Sequence, residues 1–163
     1  MFVTYMEMLA PPPGEVIPSP TDGVEINKEK LDKEQYLRLY RDVGAPVQWD
    51  QRLRMSESEL CRLLGNQKTY IYVLRLNAQA VGLCEFEGVG SSEVELTNFG
   101  LVAGVQGQKL GPYLLDWTLR RVWACKPRRI WLHTDTNDHP KALSIYERMG
   151  FKTYRQCVEA FPD

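Results

Sequence analysis

The sequence lacks closely spaced cysteines. Its four cysteines, Cys61, Cys84, Cys125 and Cys157, are scattered through 163 residues without a CxxC pair. This spacing matches neither a zinc site nor the disulfide framework of a small secreted domain. We therefore expect reduced thiols, no metal and a cytoplasmic location.

An excess of charge of one sign is also absent. The chain has 20 Lys and Arg against 21 Asp and Glu, for a formal net charge of -1. This balance argues against broad electrostatic attraction to nucleic acid or to a membrane. No apolar run is long enough to span a bilayer, and the apolar start contains Glu7 and has no basic leader, which disfavours a signal peptide. We expect neither nucleic acid nor membrane as a partner.

Apolar residues are abundant, at 44% of the chain. At this length they suit one globular domain, residues 1–163, with a substantial core. Residues 1–10 are β-prone and predict an N-terminal strand, and the proline-rich stretch 11–23 predicts an extended, semi-rigid connection. Residues 24–163 then form the core of the domain.

The apolar pattern of this core predicts an α/β fold of the α+β type. Helical spacing covers 26–44 and 56–64, and three β-rich runs, 69–76, 80–88 and 91–102, predict an antiparallel meander. A helix after Gly111, a strand over 128–134, a helix within 138–149 ended by Gly150 and a last strand over 151–158 complete the chain. We expect a mixed, mostly antiparallel twisted sheet flanked by helices.

The loop Gln106-Gly107-Gln108-Lys109-Leu110-Gly111 precedes one of these helices. Glycine permits sharp turns and close approach to a ligand, and the N–H groups at a helix start attract anions such as phosphate. The loop lacks the GK[ST] ending of a Walker phosphate loop and the spacing of a dinucleotide-binding GxGxxG motif. By itself, it is equally consistent with a tight strand-to-helix turn.

A second motif follows at His139-Pro140-Lys141-Ala142-Leu143-Ser144-Ile145-Tyr146, ahead of Gly150-Phe151. With the glycine loop and the meander, it resembles the GNAT N-acetyltransferase superfamily, in which Q/R-x-x-G-x-G/A precedes Asn-x-x-Ala-x-x-x-Tyr. Two positions depart from the pattern: Lys109 replaces a glycine, and His139 replaces the asparagine. After Gly150-Phe151 there is room for one strand where many relatives have two. The N-terminal strand could occupy the vacant place, and the sequence leaves open whether it pairs within the chain or with another subunit.

The resemblance implies acetyl-CoA as a cosubstrate. Its pyrophosphate is expected on the amides of the glycine loop, and its pantetheine arm on the backbone of the preceding strand. The residues expected to contact acetyl-CoA are Phe99, Gly100, Leu101, Gln106, Gly107, Gln108, Lys109, Leu110, Gly111, His139 and Tyr146.

The same resemblance suggests two catalytic residues for transfer to a primary amine by direct attack. Glu95 matches a position that carries a base in some relatives, and Tyr146 suits protonation of the leaving thiolate. The alternatives are an exposed carboxylate at Glu95 with His133 or water as the base, and a core tyrosine at position 146.

Trp49, Arg52 and His133 are candidates for the acceptor site; the alternative for Trp49 and Arg52 is that their side chains only pack against the rest of the protein. The sequence does not identify the acceptor, which could be a polyamine, an amino acid, an antibiotic or a protein amine. It also leaves the oligomeric state open, with a homodimer among the alternatives. A different class of function is an acyl-CoA-sensing or protein-interaction module without turnover, an alternative that the altered residues Lys109 and His139 leave open.

Overall fold

The computed structural model describes residues 1–159. Seven strands form one sheet: β1 Phe2–Met8, β2 Val24–Lys28, β3 Tyr70–Leu76, β4 Gln79–Glu87, β5 Glu93–Leu101, β6 Arg129–Asp135 and β7 Lys152–Val158. The α-helices are α1 Lys33–Gly44, α2 Glu57–Gly65, α3 Leu110–Trp123 and α4 Ala142–Met149. Short 3-10 helices cover Ala45–Val47, Gln51–Arg54 and Ala103–Val105.

The strand order is β2-β3-β4-β5-β6-β1-β7, and only β5 and β6 run parallel. Alternate residues of β3 face opposite sides of the sheet, so that Tyr72 packs in the core with α3 and α4 while Ile71 packs with α1 and α2. The expected α/β fold, a mixed and mostly antiparallel sheet flanked by helices, is confirmed. Among residues 1–159, no helix combines the length and apolar character needed to cross a bilayer.

The N-terminal strand β1 lies between β6 and β7 and pairs antiparallel with both. Its side chains at Val3, Met6 and Met8 are buried, because this central position in the sheet gives them neighbours on both sides. The N-terminal strand therefore pairs within the chain, next to the strand that follows Gly150-Phe151.

The helix predicted over 26–44 is wrong at its start. Residues Val24–Lys28 form β2, which pairs antiparallel with β3 and buries Ile26. Helix α1 begins only at Lys33, after a capping box in which Asp32 and Gln35 satisfy each other's backbone N–H groups. The helical spacing of Leu31, Tyr36 and Leu39 obscured this boundary.

The sheet opens between β5 and β6. These strands pair only where Glu93–Glu95 meets Arg129–Trp131, although β5 continues to pair with β4 as far as Leu101. The register between β4 and β5 shifts at Thr97, an extra residue of the kind that bends a strand. The edge of β5 from 96 to 101 therefore borders a cleft instead of a neighbouring strand.

Candidate active site

The cleft widens into a cavity of about 1240 Å³. Its walls come from β5 residues 96–101, the loop 106–112, the start of α4 and the segment 47–55 between α1 and α2. Ten of the eleven residues predicted to contact acetyl-CoA line it, and Gln108 does not. The two sequence motifs, which lie far apart in the chain, therefore meet at one cavity.

The glycine loop, of which all residues except Gln108 line this cavity, contains backbone amides that donate no hydrogen bond in the described part of the chain. Gly107 (φ 83°) and Lys109 (φ 63°) are both left-handed, and Lys109 occupies the N-cap of α3 without a side-chain cap. Within residues 1–159, the N–H groups of 107–111 donate no hydrogen bond. A run of free N–H groups at an uncapped helix start is an anion-binding geometry.

Tyr146 lies on α4 between two aromatic rings. Its ring centroid is 5.9 Å from that of Phe99 and 5.8 Å from that of Phe151, and the residue is 8% exposed. Burial raises the pKa of its hydroxyl well above the usual value of 10. Because the side chain lines the cavity as a protonated phenol, it can donate a proton there.

Glu95 lies where the pairing of β5 with β6 ends. Burial raises the pKa of its carboxyl to about 7, and the negative charges of Glu87 and Glu85 add to the increase while Arg52 opposes it. Its Oε2 is 3.9 Å from Nε2 of His133. His133 lines the cavity but Glu95 does not, so a proton from the cavity would reach Glu95 through an intervening group.

Arg52 lies outside the cavity lining, in a buried network. Its Nη2 donates to Glu85 Oε2 at 2.6 Å and to Glu87 Oε2 at 3.1 Å. Its charge is thus neutralised within the protein, and the structure does not place it against an acceptor.

Glu85, at the centre of this network, was not singled out from the sequence. The residue is fully buried, and its carboxylate also accepts hydrogen bonds from the hydroxyl of Tyr36, from Thr97 Oγ1 at 2.7 Å and from Asn98 Nδ2 at 3.2 Å. The available signal was a carboxylate in the otherwise apolar run of β4. The network ties α1 and the α1–α2 segment to the irregular part of β5.

Trp49 and His139 take different positions around the cavity. The Trp49 indole packs on Tyr40, with ring centroids 5.5 Å apart, and its Nε1 donates to Asp138 Oδ1 at 3.4 Å. His139 is exposed, and its Nδ1 accepts from the backbone N–H of Lys141 at 3.1 Å, just before α4. Within residues 1–159, no three side chains of His, Cys, Asp or Glu form a group that could hold a metal ion.

Comparison with known proteins gives a family match. The model of the acetyltransferase (GNAT) family matches residues 31–151. A search of curated protein sequences found no match.

Similar solved structures agree with the fold. A GCN5-related N-acetyltransferase from Sphaerobacter thermophilus has a TM-score of 0.66 at 17% identity, covering 95% of this chain and 49% of that chain. An aminoglycoside acetyltransferase from an uncultured soil metagenomic sample has a TM-score of 0.70 at 16% identity, with coverage of 89% and 99%. A GNAT family acetyltransferase from Streptococcus pneumoniae TIGR4 has a TM-score of 0.59 at 25% identity, with coverage of 79% and 87%.

The chain spans about half the length of the Sphaerobacter protein but nearly all of the metagenomic one. The family match extends from α1 to the start of β7 and includes both cavity motifs. The chain therefore belongs to the GNAT acetyltransferase family.

Proposed function

We propose that this protein transfers the acetyl group of acetyl-CoA to a primary amine by direct attack of the amine. The observation that carries the proposal is the continuity between the free amides of 107–111 and the open edge of β5. Together they offer an anion site joined to an extended row of peptide groups, which suits a ligand with phosphates and an amide-bearing arm.

The residues around the cavity fit acetyl-CoA. The amides of 107–111 would hold the pyrophosphate, and the backbone of 99–101 would hold the pantetheine arm. Three cavity-lining cations, Lys109, Lys141 and Arg148, form no ion pair with a carboxylate in the described part of the chain and would add attraction for phosphate. When bound, acetyl-CoA supplies a thioester that an amine can attack.

In this reaction, one side chain donates a proton and another accepts one. Tyr146 holds its proton at neutral pH and donates it from Oη towards the leaving sulfur. Glu95, with a pKa of about 7, accepts a proton from the acceptor nitrogen through one water, because its carboxylate does not line the cavity.

The acceptor end of the cavity has an acidic lining. Glu59 comes from α2 and Asp135 comes from the end of β6, while Asp50 is paired with Arg54, which also lines the cavity. The carboxylates of Glu59 and Asp135 favour a cationic amine. An aminoglycoside is the substrate class named for the metagenomic relative. For this chain, polyamines, amino acids, antibiotics and protein amines remain the candidate acceptors.

The proposal is tested by measuring CoA thiol release from acetyl-CoA with a panel of primary amines, each beside its tertiary-amine analogue. We expect release with at least one primary amine and none above background with its analogue. Binding of acetyl-CoA without release by any amine would favour the sensing module instead. The cytoplasmic location stays a prediction, and the oligomeric state stays open with a homodimer among the alternatives.

A further inference from the structure

The indole of Trp49 crosses the open cleft. On one side it covers β5: a Cβ added to Gly100 would lie 3.5 Å from Cη2 and 3.8 Å from Cζ2 of the indole. On the other side, Nε1 reaches Asp138 Oδ1, in the connection between β6 and α4. One side chain therefore spans the gap between the two walls that form when β5 and β6 separate.

The backbone of Trp49 and the Cβ end of its side chain are fixed by contacts with α1. Its backbone N–H donates to the carbonyl of Gly44 at 3.0 Å. Its side chain packs so closely over Gly44 that a Cβ there would lie 2.5 Å from the Trp49 Cβ. Tyr40 supports the ring from α1. Gly44 thus leaves the space that the Trp49 side chain occupies.

The contact of the indole with Asp138, on the other side of the cleft, is weaker. Asp138 is itself fixed, because its Oδ2 accepts from the Thr134 hydroxyl and from the Asp135 N–H at 3.1 Å. The Trp49–Asp138 bond, at 3.4 Å, is longer than the usual 2.9–3.0 Å of an N–H···O hydrogen bond. The bond to Asp138 is therefore the weaker of the two hydrogen bonds that Trp49 donates.

We propose that the Trp49 side chain covers the pantetheine arm of the bound cosubstrate and that its hydrogen bond to Asp138 holds it in this position. This inference rests on the proposed function, which places the arm along β5 next to Gly100. An arm that runs from the amides of 107–111 towards residue 96 passes beneath the indole. The indole shields the arm from water, and it must move away before the arm can leave. Trp49 therefore slows release of the cosubstrate.

The test compares two ligands on the full-length chain by surface plasmon resonance. CoA carries the arm, whereas adenosine 3′,5′-bisphosphate carries adenosine and phosphate without it. Trp49→Phe leaves a smaller aromatic ring and removes the Nε1 donor together with Cη2 and Cζ2, the indole atoms nearest Gly100. Trp117→Phe makes the same change on α3, where the indole packs on Tyr72 and Arg121 and does not line the cavity. Thermal melting without ligand checks that each variant is folded.

We expect Trp49→Phe to raise the release rate of CoA at least threefold and to leave that of the bisphosphate unchanged, while Trp117→Phe changes neither. Asp138→Ala removes the acceptor of the same bond and should also speed CoA release. An unchanged release rate of CoA in Trp49→Phe, or an equal increase in the release rates of both ligands, would overturn the proposed role of Trp49. If the wild type binds neither ligand, the proposed function itself fails.

Discussion

Lys109 is a lysine in a left-handed conformation that glycine adopts without strain. The left-handed region costs an L-residue about 1–2 kcal/mol in the folded state, and glycine removes this cost. Glycine also stabilises the unfolded chain by making it more flexible, which offsets part of the gain. We expect Lys109→Gly to raise the free energy of unfolding by roughly 0.5–1 kcal/mol in urea denaturation. Lys126 (φ 59°), just beyond the other end of α3, is the matched control, and Lys126→Gly should gain a similar amount.

The same two variants test the charge of Lys109. If its ammonium contacts a CoA phosphate, Lys109→Gly should weaken CoA binding at low salt and flatten its dependence on ionic strength. Calorimetry at two salt concentrations measures both effects, and Lys126→Gly should bind CoA as the wild type does. Identical salt dependence in all three proteins would show that the Lys109 side chain points into solvent.

Glu95 should control the pH dependence of the reaction. Its carboxyl is protonated below its pKa of about 7, so kcat/KM should fall as the pH drops through 7 and level off above it. Glu95→Gln should lower kcat/KM by roughly 100- to 10,000-fold and remove this acid limb. Glu93→Gln, an exposed change on the same strand, should retain both the rate and the limb. An acid limb that persists in Glu95→Gln would make His133 or water the base.

Tyr146→Phe should separate chemistry from packing. Phenylalanine fills the same space between Phe99 and Phe151, so we expect little change in the melting temperature or in CoA affinity. Loss of the proton donor should lower kcat by roughly 10- to 10,000-fold where chemistry is rate-limiting. A near-normal kcat would leave Tyr146 with a packing role only.

At the scale of the elements, the stability of the sheet depends on β1. Met6 is fully buried, whereas Leu9, just beyond the strand, is 67% exposed. Met6→Ala should lower the free energy of unfolding by about 2–5 kcal/mol, because it leaves a cavity where β1 packs inside the sheet. Leu9→Ala should change it by less than about 0.5 kcal/mol. Equal effects of the two changes in urea denaturation would contradict the position of β1.

The elements that the sequence predicted well carry strong local patterns. Alternation of apolar residues marks β3, β4 and β5, and Gly150 ends α4 as a left-handed cap. Strand β2 was missed because its five residues are too few for a clear period and are followed by a helical pattern. Spacing also gave no sign that Arg52 meets Glu85, because ion pairs between distant segments depend on the tertiary fold.

Across the whole molecule, the charges around the cavity are unevenly distributed among the elements that form it. The cations Lys109, Lys141 and Arg148 come from the glycine loop and from in and around α4, while Glu59 and Asp135 come from α2 and β6 and Asp50 is paired with Arg54. This polarity suits an anionic donor and a cationic acceptor, although the formal net charge of the chain is only -1. Net composition could not predict it, since it arises from which residues the fold brings together.

The most direct test of the account is an amide NMR titration of the ¹⁵N-labelled chain with CoA. We predict that the largest shift changes fall on the free amides of 107–111, with further changes along 98–101, because these groups gain hydrogen bonds and a nearby phosphate charge. Amides of β7, which do not line the cavity, should stay unchanged. Absence of shifts at 107–111 under saturating CoA, or changes confined to another surface, would contradict the proposed site.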